Sequence, residues 1–141
     1  MQNKENGGQS LKRTLLACSE QVHGVLGGGF TETVYHSALE RELSDQNVSH
    51  VSEGTLPILY KGTPVGRRRP DMFLVSENGE KIVVELKAGS TKGKEQLAEY
   101  MTIIENDDNY DDIVGGCLIQ FNNSLHVYET NNQEQSIEQL L

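Results

Sequence analysis

The chain has 141 residues, a mass of 15.7 kDa and a formal net charge of −9. That length suffices for one core without disulfides or a structural metal, no apolar run approaches the roughly 18 residues of a membrane span, and the acidity disfavours indiscriminate binding to polyanions. Two cysteines and four scattered histidines make no zinc-ligand spacing, and Cys18 and Cys117, both in apolar patterns, read as buried free thiols of a reducing, cytoplasmic setting.

Residues 1–9 are polar and expected to be disordered, ahead of one domain over 10–130 and a polar tail over 131–141. Leu11, Leu15, Leu16, Val22, Val25 and Leu26 recur at helical spacing, which predicts a helix over 10–26 closed by Gly27-Gly28-Gly29. The triple glycine reads as a turn and not a phosphate cradle, since no strand precedes it and no lysine follows. A second helix over 30–46 aligns Val34, Tyr35, Ala38, Leu39 and Leu43, with Thr31 as its cap. Strand patterns follow over 48–60, 65–75 and 81–88, the first two joined by Lys61-Gly62-Thr63-Pro64. A third helix over 91–106 should bury Leu97, Met101 and Ile104 and stop at Asp107-Asp108-Asn109. The near-continuous apolar run 113–121 predicts a strand buried on both faces. Asn122-Asn123 turns it into a last strand over 124–130, and Ile137, Leu140 and Leu141 suggest a short docked helix in the tail.

The chemistry concentrates in two neighbouring strands. In Ile82-Val83-Val84-Glu85-Leu86-Lys87 the side chains alternate, so Glu85 and Lys87 share one face while Ile82, Val84 and Leu86 take the other. Asp71, after Pro70, lies on the preceding strand. A two-residue turn at Asn78-Gly79 would put Asp71 opposite Leu86 and separate the acids. A three-residue loop with Gly79 in the left-handed position pairs 76 with 80 and 71 with 85, and joins them. Two carboxylates beside an ammonium are the parts needed to hold Mg²⁺ and steer water onto a phosphodiester. The charge distribution agrees: residues 61–94 carry eight of the twelve basic residues and four acids, a window of +4 against −13 for the rest. Duller readings stand beside these. Glu85 and Lys87 can form a simple ion pair with Asp71 opposite, Glu32 can answer the helix dipole, and Tyr100 can be a core aromatic. The histidines have no partner spacing.

The order α-α-β-β-β-α-β-β contains the αβββαβ core of the PD-(D/E)XK nuclease superfamily, and the motifs resemble it over roughly residues 11–121. Pro70-Asp71 looks like its first signature and Glu85-Leu86-Lys87 like its ExK. Gly29-Phe30-Thr31-Glu32-Thr33-Val34-Tyr35 and Tyr60-Lys61-Gly62 resemble the GxxExxY family, and Gln96-Leu97-Ala98-Glu99-Tyr100 matches the QxxxY of RecB-type members. The resemblance implies an α/β, restriction-endonuclease-like fold with a mixed sheet flanked by helices, and a Mg²⁺-dependent DNA nuclease, with Mn²⁺ as a substitute ion and RNA left open as substrate. It implies metal ligation by Asp71, Glu85, the Leu86 carbonyl and Glu32, water orientation or charge compensation by Lys87, and Gln96 and Tyr100 reaching Lys87 and a substrate phosphate. Arg67, Arg69 and Lys92 of the positive stretch are the expected substrate contacts. No membrane partner is expected, and a homodimer or a larger DNA-processing complex is left open. The alternatives are a binding module that kept the fold without turnover and a nuclease subunit serving a helicase-containing assembly.

Overall fold

The computed structural model describes residues 7–131 and 136–141. Helices α1 (Gly7–Leu26) and α2 (Glu32–Asp45) precede strands β1 (Ser49–Ser52), β2 (Leu56–Tyr60), β3 (Thr63–Arg68), β4 (Met72–Val75) and β5 (Lys81–Ala88). Helix α3 (Lys94–Glu105) and a 3₁₀ turn (Asp108–Tyr110) lead to β6 (Ile113–Phe121), β7 (Leu125–Asn131) and β8 (Glu138–Gln139). Six strands form one sheet in the order β1-β4-β5-β6-β7-β8, and β2-β3 form a separate two-stranded sheet. Among the described residues only β5 and β6 run parallel, and α3 is the crossover that joins them. This is the expected mixed-sheet, restriction-endonuclease-like α/β architecture.

Alternation along the strands divides the interior in two. Ile82, Val84 and Leu86 of β5 pack with Leu15 and Val22 of α1 and Leu39 and Leu43 of α2. Val83, with Phe73 and Leu118, packs against Leu97, Tyr100, Met101 and Ile104 of α3. Gly116 lets α3 lie close to the sheet, since a Cβ there would stand 2.8 Å from Leu97 Cδ1 and 2.9 Å from Val83 Cγ1. Glu85 and Lys87 belong to the α3 face, as their parity requires.

The β4–β5 ladder pairs Met72 with Val84, Phe73 with Val83, Leu74 with Ile82 and Val75 with Lys81. Ser76 N–H donates to the Glu80 carbonyl at 2.8 Å, and Gly79 N–H donates to the Ser76 carbonyl at 3.0 Å. Gly79 adopts φ +88, where a side chain would be strained. The loop is thus the odd-length one, and continuing the ladder sets Asp71 against Glu85.

Several boundaries differ from the sequence reading. The strand expected over 48–60 breaks at Glu53, which takes φ +64, and Gly54, which lies against the Phe73 ring. The strand expected over 65–75 breaks at Arg69-Pro70-Asp71, because proline has no N–H to continue the ladder. Together these breaks free β2 and β3 as a hairpin outside the main sheet. Helix α1 starts at Gly7, inside the segment expected to be disordered, where Gly7 N–H donates to Glu80 Oε1 at 2.8 Å. Residues 1–6 of that segment lie outside the described residues. The tail forms no helix at its described end: β8 adds to β7, and Leu140 N–H donates to the Val127 carbonyl at 2.7 Å. Thr31 occupies the N-cap of α2, but its carbonyl and not its side chain receives the first-turn N–H groups. Among the described residues no helix is long and apolar enough to cross a membrane.

Gly116→Ala should destabilise the domain by about 1–3 kcal/mol through overpacking between α3 and β5, read as a lower urea midpoint at unchanged slope.

Candidate active site on the α3 face of the sheet

Glu85 is only 4% exposed, yet it carries a carboxylate into a layer of Val83, Leu118 and Tyr100. Burial of that kind is costly unless hydrogen bonds and opposite charge compensate it. The compensation is partial. Tyr100 O–H donates to Glu85 Oε1 at 3.2 Å, the Asp71 N–H donates to the same oxygen at 3.3 Å, and Lys87 Nζ stands 3.7 Å from Oε2. Asp71 Oδ2 accepts the Leu86 N–H at 2.6 Å, so the aspartate side chain extends the ladder one residue before β4 begins.

Burial first, and then the adjacent Asp71 charge and its hydrogen bond, push the Glu85 carboxyl from its ordinary 4.5 up to about 7. Lys87 and the Asp71 N–H pull the other way without winning. Burial and the Glu85 charge likewise push the Tyr100 phenol up, so it stays a donor. The Glu85 carboxyl thus shares its pocket with a second carboxylate and too little positive charge to ionise in its ordinary range.

That donor set fits a divalent cation. Glu85 Oε1 is engaged by protein donors and Oε2 faces Lys87; Asp71 Oδ2 is engaged, and Asp71 Oδ1 receives no N–H among the described residues. Leu86 can contribute only its main chain, since its side chain is buried in the opposite face. Glu32 does not join: it is exposed in the first turn of α2, a helix that packs on the Leu86 side of the sheet. Among the described residues no three His, Cys, Asp or Glu side chains converge as a metal cage.

The third helix separates its two expected contributors. Tyr100 lies within the buried stripe, 1% exposed, and its hydroxyl donates to Glu85. Gln96 is exposed and its side chain makes no hydrogen bond among the described residues, so the contact with Lys87 expected from the QxxxY spacing is not made. Arg67 is exposed on β3 and Arg69 just after it, and Lys92 is exposed on the loop between β5 and α3. Arg68, the residue between the two arginines, is tied instead to Glu99 of α3.

Gln120 is the residue that sequence reasoning passes over. It is buried opposite Lys87 in the β5–β6 ladder and donates through Nε2 to the Thr91 carbonyl at 2.8 Å and the Lys92 carbonyl at 3.1 Å. It pins the loop that carries Lys92. Its signal is a lone amide in an otherwise apolar strand, which demands a buried partner. Tyr35 of the GxxExxY pattern holds backbone in place as well. It stacks on Phe121 at 4.3 Å and donates to the Gly27 carbonyl at 2.6 Å, fixing the turn before α2.

No curated protein matches the chain. It is similar to the crystal structure of SSO0001, with a TM-score of 0.50 and 25% identity over 70% of this chain and 50% of that one. The chain therefore spans half the length of that structure. The model of the PD-(D/E)XK nuclease superfamily matches residues 9–131, a stretch that contains Asp71, Glu85, Lys87, Tyr100 and Gln120 on the sheet and helix just described. The chain belongs to the PD-(D/E)XK nuclease superfamily.

Proposed function

We propose that the domain is a Mg²⁺-dependent nuclease that hydrolyses DNA phosphodiester bonds at the Asp71–Glu85 pair. One observation carries the reading: two carboxylates meet across an antiparallel pair, one of them buried and pushed up to about 7, with an ammonium 3.7 Å away. Such an arrangement destabilises itself unless a cation uses it.

Asp71 and Glu85, with the Leu86 carbonyl, are the residues that would hold Mg²⁺. When bound, the ion draws charge from a phosphate oxygen and acidifies a water. Tyr100 fixes one Glu85 oxygen and leaves the other toward Lys87. The Lys87 ammonium orients the attacking water or offsets the negative charge that develops as phosphorus becomes five-coordinate. Glu85 must first release its proton, which solvent accepts near neutral pH. Glu32 and Gln96 have no step in this reading. The net charge of −9 suits a nuclease that receives its substrate with help from a partner.

Asp71→Asn keeps an acceptor for the Leu86 N–H while removing the charge, so it should abolish Mg²⁺-dependent cleavage of labelled DNA with metal-free stability equal to or above that of the parent. Lys87→Ala should lower turnover by roughly 100-fold or more. Ordinary cleavage by Asp71→Asn would end the assignment. Tyr100→Phe should lower turnover by about 10- to 150-fold, as expected for loss of one hydrogen bond to a charged group, and should lower the melting temperature by a few degrees, since the bond is made in the metal-free fold.

The raised Glu85 pKa fixes a pH dependence. Its contribution to metal-free stability is fully present below the ordinary 4.5 and is lost as pH rises through about 7. Glu85→Gln suffers no such loss and should melt above the parent at alkaline pH without metal. Cation binding needs the ionised form, so Mg²⁺ titrations should release protons below about pH 7 and weaken as pH falls. Proton-independent Mg²⁺ binding would contradict ligation by Glu85.

A further inference from the structure

We propose that Gln120 is a positioning residue of the candidate site: it holds the loop between β5 and α3 beside Lys87, so that the Lys92 ammonium meets a substrate phosphate next to the one being cleaved. The inference rests on the nuclease reading and names a substrate contact of that site together with the side chain that fixes it.

The loop on its own has little to keep it in place. It runs Gly89-Ser90-Thr91-Lys92-Gly93, small and polar residues around one lysine, and both glycines take positive φ, +66 and +117. A lysine on so free a backbone would lose much of its contact energy to ordering. Side chains of the neighbouring strand remove that freedom. Gln120 Nε2 donates to the Thr91 carbonyl at 2.8 Å and to the Lys92 carbonyl at 3.1 Å, and Asn122 Nδ2 donates to the Ser90 carbonyl at 3.0 Å. Three consecutive carbonyls are thus tied to two alternate residues, one at the end of β6 and one just past it. A side-chain amide has two N–H groups, and Gln120 commits both to this loop. Helix α3 begins its own hydrogen bonds one residue later, where the Gly93 carbonyl accepts the Leu97 N–H at 2.9 Å.

The pinned loop lies at the acid pair. Gln120 is opposite Lys87 across β5 and β6, and Glu85 is two residues back on the same face. Gly93 is buried against that row, since a Cβ on it would stand 2.5 Å from Leu118 Cδ1 and 3.2 Å from Lys87 Cγ. Lys92 is the adjacent residue, with its Cα about 3.8 Å away. It is exposed, and its ammonium forms no ion pair among the described residues. Lys87 Nζ in turn stands 3.7 Å from Glu85 Oε2. A free cation on a pinned loop one residue from the Lys87 contact is placed for a phosphate of the strand whose neighbouring phosphate enters the site. Lys94 is the contrast. Its ammonium rests 4.2 Å from the Tyr128 ring centroid on β7, and about 120° of helix rotation separates it from Tyr100.

The test is a double-variant cycle on Gln120 and Lys92. Binding is read by fluorescence anisotropy in Ca²⁺ with a labelled DNA duplex and its separated strand, and cleavage in Mg²⁺ gives KM and kcat. Lys92→Ala should weaken binding of the better probe about tenfold, as for loss of one charged contact, and lower the salt slope by about 0.7 to 0.9. Gln120→Met keeps the length and removes both donors; it should weaken binding about 3- to 10-fold and raise KM with kcat within about twofold of the parent. With Lys92 already alanine, Gln120→Met should add less than about twofold, because the loop it holds then carries no cation. Lys94→Ala should stay within about twofold of the parent at physiological salt. Urea unfolding shows whether Gln120→Met folds; if it does not, Asn122→Ala, which frees the Ser90 carbonyl, takes its place in the cycle with the same expectation. Losses that multiply in the double variant, undiminished binding by either single variant, an equal loss by Lys94→Ala, a fall in kcat at constant KM in Gln120→Met, or no binding of either probe by the parent would each overturn the proposal. Cleavage by the parent without the coupling would remove the Lys92 contact and leave the nuclease site standing. Coupling in a parent that binds but does not cleave would do the reverse.

Discussion

The β4–β5 ladder has a side-chain period of two, so a slip of one residue would send Asp71 to the opposite face from Glu85. The loop of Glu77, Asn78 and Gly79, with Gly79 at positive φ, holds the ladder where the two acids coincide. Everything on the α3 face follows from that registration. Val83 reaches Leu97 and Met101, Glu85 reaches Tyr100, and Lys87 stands beside Gln120. The opposite face then receives Ile82, Val84 and Leu86, which suit the apolar stripes of α1 and α2. One local turn therefore decides both which residues form the core and whether the two carboxylates meet.

The site is held against its own electrostatics. Folding brings a second carboxylate up to a buried one, and the nearby cation does not neutralise the pair. The two apolar layers supply the energy that keeps this arrangement together, since each fully buried side chain contributes about 1.5–3 kcal/mol. Tyr100 and Gln120 restrict what strain can do: one holds the Glu85 oxygen and the other holds the loop beyond β5. Neither has to touch a substrate to matter, because misplacing a reacting group by an ångström is costly in rate.

Much of this is legible in the chain. The period-two pattern of residues 82–87 and the helical stripes of α1–α3 define the layers, and Asn78-Gly79 permits the odd-length loop. The hairpin is not legible, because the 48–60 and 65–75 patterns read as unbroken strands. Pro70 reads as part of a motif and is also a ladder terminator, and Glu53 gives no sequence sign of its positive φ. Helical spacing places Gln96 and Tyr100 together, but about 40° of rotation separates them, and that is enough to bury one and expose the other. Gln120 is hidden by the apolar run around it.

The bond between Leu86 N–H and Asp71 Oδ2 bears on how a domain with the proposed activity could lose it. The side chain at position 71 caps a strand end as well as bearing a charge, and an unpaired buried amide is penalised in every descendant that still folds. Drift at that position is therefore channelled toward residues that keep an oxygen acceptor, Asn foremost. Lys87 has no comparable duty to the backbone and is free to change. A lineage that has abandoned hydrolysis would carry a polar scar at 71 and arbitrary residues at 87.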